Sequence, residues 1–403
     1  MMTHSPCPFS LKKWPKSVIF CLHYPRHEGT PLGLYIKNHF LGVFCKVALE
    51  SLGYNRFKIL TGDDVMPFVV GMDIGYGNLK VAFGDALDES PFGEIYPACA
   101  VPSELVATSM FGSDMENETG IRVQVNGKDW RAGVPGNAVQ RHAPRQLHEG
   151  YVGSEAWTAL AYAGMLAAGR DVIDVLVVGL PVSHYEEAGR REGLVSLLKK
   201  SHTIFPNKTI HVHQVKVVPQ PVGAYVDALN GSWCDEGVQD RLAEETSLVI
   251  DPGFFSLDWT LVRSGGRYAS LASGSSLFAV SHLIEEARKQ MSVAYGKAPT
   301  VAQLESCLQE NRTSLYVFKR NIEITPFFET AARVAGLEAF GEMRAMLRQV
   351  DEPINFIILA GGGAELYQPV VKEMYADSTI LVSPKPEMAN VFGFWGLGAQ
   401  QFV

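Results

Sequence analysis

The feature that most constrains the fold of this 403-residue chain is one pattern that occurs twice. In each copy an apolar strand ends in an aspartate, a glycine-containing turn follows, and a second strand begins. The first copy covers residues 70–81 and places Asp73 before the turn, and the second covers residues 249–259 and places Asp251 there. Two halves that open with the same unit predict an internal duplication of one α/β fold.

The two turns have the composition of a phosphate-binding clamp. Glycine lets backbone N–H groups approach phosphate oxygens, and a carboxylate beside the phosphates holds Mg²⁺, usually through water. Either turn alone also fits an ordinary β-hairpin whose aspartate stabilises the turn. A third element favours the clamp, because a predicted strand over residues 354–359 leads into Gly361, Gly362 and Gly363 at a helix start. Such a loop suits close approach of a nucleotide, although tight strand-to-helix packing also selects glycine.

The order of these elements carries a family resemblance. First hairpin, connecting helix, second hairpin and glycine loop, over about residues 66–403, resemble the actin, Hsp70 and sugar-kinase superfamily. Within it, Met-Asp-Ile-Gly-Tyr-Gly-Asn-Leu-Lys at 72–80 resembles the ParM/StbA-like plasmid-segregation branch of the actin-like ATPases. The chain is also similar to the protein D family of the PRTRC system. The resemblance implies an actin-like, duplicated ribonuclease H-like fold of two lobes with a nucleotide cleft between them.

The resemblance also implies domain limits. Lobe I would cover residues 66–235 and lobe II residues 245–385, and a C-terminal helix within 386–403 would return to lobe I. Residues 1–65 form an atypical N-terminal segment with eight Lys and Arg against four acidic residues. This segment is either a small accessory element or an extension upstream of a true translation start at Met66.

The resemblance assigns residues to the nucleotide. Those predicted to bind it are Asp73, Gly75, Tyr76, Gly77, Asn78, Lys80, Asp251, Gly253, Ser256, Gly361, Gly362 and Gly363, and Asp258 belongs to the same second turn. Asp73 and Asp251 would be metal ligands, Asp251 would also serve catalysis, and the cofactors would be ATP and Mg²⁺. Pro252 and the pair Phe254-Phe255 depart from the Gly- and Thr-rich composition common in the second turn. Since proline lacks an N–H, we expect weaker phosphate contact there.

Gln220 is the second predicted catalytic residue. It lies in the connecting segment where ParM-like proteins usually have Glu and actin has Gln. A carboxamide orients a water molecule but is not a general base, so we expect slow hydrolysis that depends on positioning. The alternative is that Gln220 is a polar residue at a helix start without a catalytic role.

Several local expectations concern the rest of the chain. A helix is predicted over 154–168 with Ser154 as its N-cap, and another over 185–200. The polar segment 230–245 is expected to be a solvated separator of the two halves. Side chains expected to be solvated are those of His211, His213, Asp227, Asp235 and Glu236.

Composition limits the partners and the compartment. The net charge of −8 argues against bulk binding to nucleic acid, so any DNA contact would be made through an adaptor protein. Six cysteines without a CxxC pair or a zinc-like spacing fit a reducing cytoplasm. No apolar run reaches the roughly 18 to 20 residues that span a bilayer, so no membrane partner is expected.

The resemblance implies a filament-forming ATPase for plasmid segregation. The ATP-bound form would assemble head to tail with further copies of itself, and slow hydrolysis would weaken the filament. One alternative is a small-molecule kinase of the same fold, which would need an aspartate general base in the cleft of lobe I. Another is a nucleotide-sensing scaffold with little turnover.

Overall fold

The computed structural model describes residues 32–35, 57–60, 66–106, 120–135, 138–139 and 150–402. The chain divides into two units, one of residues 1–67 with 402–403 and the other of Phe68–Gln401. In the first unit the described strands β1 (Leu32–Tyr35) and β2 (Phe57–Leu60) pair in parallel. Most of the predicted N-terminal segment lies outside the described residues.

The second unit alternates strands and helices. Its strands are β3 (Phe68–Ile74), β4 (Asn78–Asp85), β5 (Phe92–Pro97), β6 (Ala100–Pro102), β7 (Ile121–Val125), β8 (Lys128–Ala132), β9 (Val172–Leu180), β10 (Ser201–Phe205), β11 (Lys208–Pro219), β12 (Ser247–Pro252), β13 (Leu257–Arg263), β14 (Arg267–Tyr268), β15 (Gly274–Ser276), β16 (Ser314–Val317), β17 (Arg320–Glu323), β18 (Phe356–Leu359) and β19 (Thr379–Val382). Its α-helices are α1 (Glu155–Ala167), α2 (Val182–Tyr185), α3 (Ala188–Leu198), α4 (Gln220–Asn230), α5 (Glu236–Glu244), α6 (Val280–Tyr295), α7 (Val301–Gln309), α8 (Thr325–Leu347), α9 (Ala364–Met374) and α10 (Ala389–Ala399).

Two large sheets share one arrangement. The first has the order β10-β11-β9-β3-β4-β5, and its strand β3 is antiparallel to β4 and parallel to β9. The second has the order β14-β13-β12-β18-β19, and its strand β12 is antiparallel to β13 and parallel to β18. All residues of β3 and β12 are buried, as expected for central strands covered on both faces. The matching pattern confirms the predicted internal duplication.

Helix α1 covers the first sheet and the small sheet β6-β8-β7. It begins after Ser154, whose hydroxyl accepts a hydrogen bond from the backbone N–H of Trp157 at 3.2 Å. This N-cap, which satisfies one of the free donors of the first turn, confirms the sequence prediction.

Helices α4 and α10 connect the two halves. The body of α4 packs on β12, β13 and β18 of the second sheet, and α10 packs on β3, β4 and β9 of the first. The helices cross in close contact, because a Cβ atom on Gly393 would lie 1.8 Å from the carbonyl oxygen of Gly223. Glycine at the crossing therefore lets the two backbones touch.

Three local expectations need correction. The helix predicted over 185–200 is interrupted, because Glu187 adopts an extended conformation between α2 and α3. The predicted polar separator contains a regular helix, α5, whose Leu242 is fully buried. Asp227, expected in solvent, is 9% exposed on the inner side of α4. Its Oδ2 accepts hydrogen bonds from the indole of Trp233 and the hydroxyl of Ser383, both at 3.1 Å.

The remaining solvated side chains lie as predicted. His211 and His213 are exposed on β11, and Asp235 and Glu236 are exposed at the start of α5. In the described part of the chain, no helix combines the length and apolarity needed to cross a membrane.

Candidate functional site

The two hairpins meet at a cavity of 1290 Å³ between the sheets. Of the residues predicted to act on a nucleotide, those that line it are Asp73, Gly75, Tyr76, Gly77, Asn78, Lys80, Gln220, Asp251, Gly253, Ser256 and Gly362, together with Asp258. Gly361 and Gly363 lie beside the cavity without lining it. The structure thus brings residues from 73 to 362 to one place, as an active-site cleft requires.

In the first hairpin, an aspartate pairs with a lysine. Asp73 lies opposite Lys80 in the register of β3 and β4, and Lys80 Nζ is 3.5 Å from Asp73 Oδ2. The turn is closed by the N–H of Gly75, which donates to the carbonyl oxygen of Asn78 at 3.0 Å. The hairpin therefore presents one carboxylate, one ammonium group and a short glycine turn to the cavity.

Gln220 is bound to the same aspartate. It is the first residue of α4, and its Nε2 donates to Asp73 Oδ1 at 2.5 Å. A Cβ atom on Gly179 would lie 2.9 Å from Gln220 Cγ, so glycine at that position leaves the space that the side chain occupies. Because Nε2 is directed to Asp73, the other polar atom of the amide is Oε1, which can accept a hydrogen bond.

In the second hairpin, two aspartates take the places of Asp73 and Lys80. Asp251 lies opposite Asp258 in the register of β12 and β13. Asp251 Oδ2 accepts a hydrogen bond from Asn390 Nδ2 at 2.7 Å. A Cβ atom on Gly361, where φ is +75°, would lie 2.1 Å from Asp251 Oδ1, so only glycine allows this approach.

Asp258 is held by donors from both halves of the chain. The N–H of Val182, at the start of α2, donates to Asp258 Oδ1 at 3.0 Å. The hydroxyl of Ser275 donates to the same oxygen, and the hydroxyl of Ser256 donates to Oδ2 at 2.6 Å. Asp258 therefore joins the loop after β9 to the second sheet.

The site accumulates negative charge. Burial raises the pKa of Asp251 to about 6, the Lys80 charge opposes that rise, and the Asp258 and Asp73 charges add to it. Burial also raises the pKa of Asp258, against the hydrogen bonds that it accepts. Three carboxylates around one ammonium group favour the binding of a cation.

The donor set fits Mg²⁺. This ion is usually bound through one or two carboxylates with phosphate oxygens and water, rather than by an all-protein cage. Among the described residues, no three His, Cys, Asp or Glu side chains are grouped to hold a metal ion by themselves. Asp73 and Asp251, one from each hairpin, are the carboxylates that would hold the ion.

The glycine loop offers fewer backbone N–H groups to a ligand than its three glycines suggest. The N–H of Gly361 donates to the carbonyl oxygen of Pro386 at 2.7 Å, and the N–H of Gly363 donates to that of Pro252 at 2.9 Å. Both groups are thus committed to the protein, and only Gly362 lines the cavity with open space at its Cα.

Aromatic side chains connect the two turns. The ring of Tyr76 lies 5.0 Å from that of Phe255 and 5.3 Å from that of Tyr151. A Cβ atom on Gly77 would lie 3.2 Å from Phe254 Cβ, so the two turns also touch directly. The departures from the family composition in the second turn therefore pack against the first turn.

Sequence reasoning missed Asn390, Tyr151 and Val182 at this site. Each reaches the cleft from a part of the chain distant from both hairpins. Val182 follows the end of β9 by two residues, but no sequence pattern links it to Asp258. For Asn390 a signal was present in the duplication, since Gln220 begins the corresponding helix of the first half.

Comparisons with known proteins agree with this fold. Residues 71–223 match the family model of the actin like proteins N terminal domain. No curated protein matches the chain significantly.

The fold also matches solved structures. A non-polymerisable quadruple mutant of pCBH ParM is 16% identical, with a TM-score of 0.63, over 83% of this chain and 99% of that one. An archaeal actin homologue in complex with ADP is 20% identical, with a TM-score of 0.60, over 82% and 99%. ParM in a 15-stranded filament from Clostridium botulinum is 17% identical, with a TM-score of 0.59, over 84% and 100%.

The chain therefore has an actin-like fold. Its structural neighbours include ParM proteins and an archaeal actin homologue, and at these identities they establish the shared fold.

Proposed function

We propose that this protein is a slow, Mg²⁺-dependent ATPase that forms head-to-tail filaments in the cytoplasm and segregates plasmids through a DNA-binding adaptor. The observation that carries the proposal is the meeting of two Asp-containing hairpins, one from each half, at a single cavity with a glycine loop. A filament of ParM and a complex of an archaeal actin homologue with ADP among the structural neighbours support the assembly and the nucleotide.

Each of these residues would have a separate role in binding or hydrolysis. The turn at Gly75 and Lys80 would contact phosphate oxygens, while Asp73 and Asp251 would hold the cation. Mg²⁺, when bound, supplies positive charge that neutralises the phosphates. Gln220 would accept a hydrogen bond from the attacking water through Oε1, since its Nε2 is bound to Asp73. No residue in this set is a free general base, which agrees with slow turnover.

A nucleotide-sensing scaffold is the second candidate. Pro252 offers no N–H to phosphate, and Phe255 packs on Tyr76 between the turns. Both features favour binding over turnover. The kinase alternative has less support, because a kinase would need a free aspartate in lobe I as its general base. Among the described residues that line the cavity, Asp73 is the carboxylate from lobe I, and Lys80 and Gln220 already bind it.

Sedimentation and phosphate release measured on the same samples test the proposal. With ATP and Mg²⁺ we expect pelleting and slow phosphate release, and with ADP neither. Asp251→Ala should lose both, whereas Asp351→Ala, at an exposed position away from the cavity, should behave as wild type. Tight ATP binding without pelleting or release would support the scaffold instead, and absence of ATP binding would refute both.

A further inference from the structure

Asn390 is a buried carboxamide that contacts the metal-side aspartate. It lies in the first turn of α10, is 1% exposed, and donates from Nδ2 to Asp251 Oδ2 at 2.7 Å. Its other polar atom, Oδ1, is buried without a hydrogen-bond partner in the part of the chain that the structure describes. Because buried acceptors are usually satisfied, this atom marks a place where ordered water or a ligand is expected.

The duplication gives this contact a counterpart. In the first half, Gln220 at the start of α4 donates to Asp73, the single acidic residue of the central strand β3. In the second half, Asn390 at the start of α10 donates to Asp251 in the same place on β12. Each half therefore fixes its cleft aspartate with a carboxamide from the helix that ends that half.

The two helices also link the contacts to each other. A Cβ atom on Gly223 would lie 2.2 Å from the carbonyl oxygen of Asn390, so the backbone of α4 touches α10 at this residue. The body of α10 packs on the first sheet, while its first turn reaches Asp251 in the second sheet. A displacement of Asp251 is thus transmitted directly to a helix that lies on the other sheet.

We infer that Asn390 is a positioning residue that holds Asp251 in the orientation required to bind the divalent cation of a bound nucleotide. The inference rests on the proposed function. One oxygen of Asp251 is held by Asn390 and the other packs against Gly361, so the carboxylate has a single orientation. Without the amide, Asp251 loses its only side-chain hydrogen bond among the described residues, and the cation loses a pre-oriented ligand.

The test compares nucleotide binding with and without the cation. A fluorescent ATP analogue is titrated into the full-length chain in Mg²⁺ and in EDTA. The readout is the dissociation constant in EDTA divided by the dissociation constant in Mg²⁺, so a larger ratio means that the cation contributes more to binding. For Asn390→Ala we expect about a tenfold loss of affinity in Mg²⁺, the scale of a hydrogen bond to a charged group, with little change in EDTA. The ratio therefore shrinks.

Asn390→Asp removes the same donor at nearly constant shape. Aspartate offers no N–H to Asp251 and places a second carboxyl group at hydrogen-bond distance from it, so the ratio should shrink as in Asn390→Ala. Val391→Ala is the matched control, because Val391 is fully buried on the same helix and its apolar side chain has no hydrogen-bond donor for Asp251. This variant should lower the melting temperature and leave the ratio as in wild type.

The outcomes separate the two claims. A wild-type ratio in both Asn390 variants would overturn the positioning role while leaving the proposed function intact. Equal losses in Mg²⁺ and EDTA for Asn390→Ala, as for a merely structural residue, would overturn it as well. If the wild-type chain bound no ATP under either condition, the proposed function would fail first.

Discussion

The crossing of α4 and α10 makes two glycines, three residues apart on one helix, respond oppositely to the same substitution. In Gly393→Ala the new Cβ would lie 1.8 Å from the carbonyl oxygen of Gly223 and 2.6 Å from its carbonyl carbon. Both neighbours are backbone, so no side chain can rotate away. In Gly396→Ala the nearest atoms are Val226 Cγ1 at 3.6 Å and Asn230 Nδ2 at 3.8 Å, which is ordinary contact.

The magnitudes follow from packing and helix propensity. To accept the methyl group of Gly393→Ala the helices must separate by about 1 Å, and overpacking of this kind costs about 3 kcal/mol, the upper part of the usual range. Alanine recovers about 1 kcal/mol of helix propensity, which leaves a net loss of about 2 kcal/mol. At Gly396 the propensity gain stands alone, so we expect a stabilisation of about 0.5–1 kcal/mol.

Urea unfolding followed by circular dichroism measures both changes in one experiment. The free energy of unfolding should fall for Gly393→Ala and rise for Gly396→Ala, with melting temperatures shifting by a few degrees in the same directions. If Gly393→Ala were as stable as wild type, the close crossing would be wrong. If Gly396→Ala were equally destabilising, the loss of stability would come from any substitution of glycine on α10 and not from the helix crossing.

Three further predictions concern the cleft, a buried acid and the N-terminal segment. Gln220→Ala should reduce phosphate release at least about tenfold, because the amide orients the attacking water. ATP affinity should stay nearly unchanged, because Lys80 still holds Asp73 when the amide is lost. Unchanged release in a malachite-green assay would remove Gln220 from the mechanism. Burial raises the pKa of Asp227 to about 6, so its contribution to stability falls as pH rises through that value. Asp227→Asn should therefore gain about 1.4 kcal/mol relative to wild type between about pH 5 and about pH 8 in urea unfolding, and a pH-independent difference would show that Asp227 ionises normally. A chain beginning at Met66 should fold and bind nucleotide as the full chain does, because Phe68–Gln401 forms its own compact unit; insolubility or lost binding in calorimetry would assign the preceding residues to the fold.

Local patterns account for what the sequence predicted well. The two hairpins were recognisable because an apolar strand, an aspartate and glycines occur within about ten residues, and the registers that place Asp73 and Asp251 in the cleft follow from them. The cap at Ser154 is local for the same reason. The duplication was visible because these local units repeat in order along the chain.

Long-range contacts account for what the sequence missed. Asn390 and Asp251 are 139 positions apart in the chain, and no local sequence pattern around either residue predicts their contact. Asp227 was misplaced because a polar residue near a polar segment looks solvated, whereas tertiary contacts with Trp233 and Ser383 satisfy its oxygen in the interior. Gly361 and Gly363 remain predicted nucleotide contacts, and a long-range role that their sequence does not reveal is that they let Asp251 and Pro252 approach the loop.

The two halves differ at one position that decides how the cleft is charged. Asp73 pairs across its hairpin with Lys80, whereas at the same spacing Asp251 pairs with Asp258. The first hairpin therefore balances its charge, and the second carries two buried carboxylates. A polyphosphate would therefore meet no net repulsion at the first hairpin, where Lys80 can also contact it, and would be repelled by the second, since like charges a few ångströms apart interact strongly in a buried site. Under the proposed function, the nucleotide alone suffices to contact the first sheet, and the divalent cation is what brings the second sheet to it.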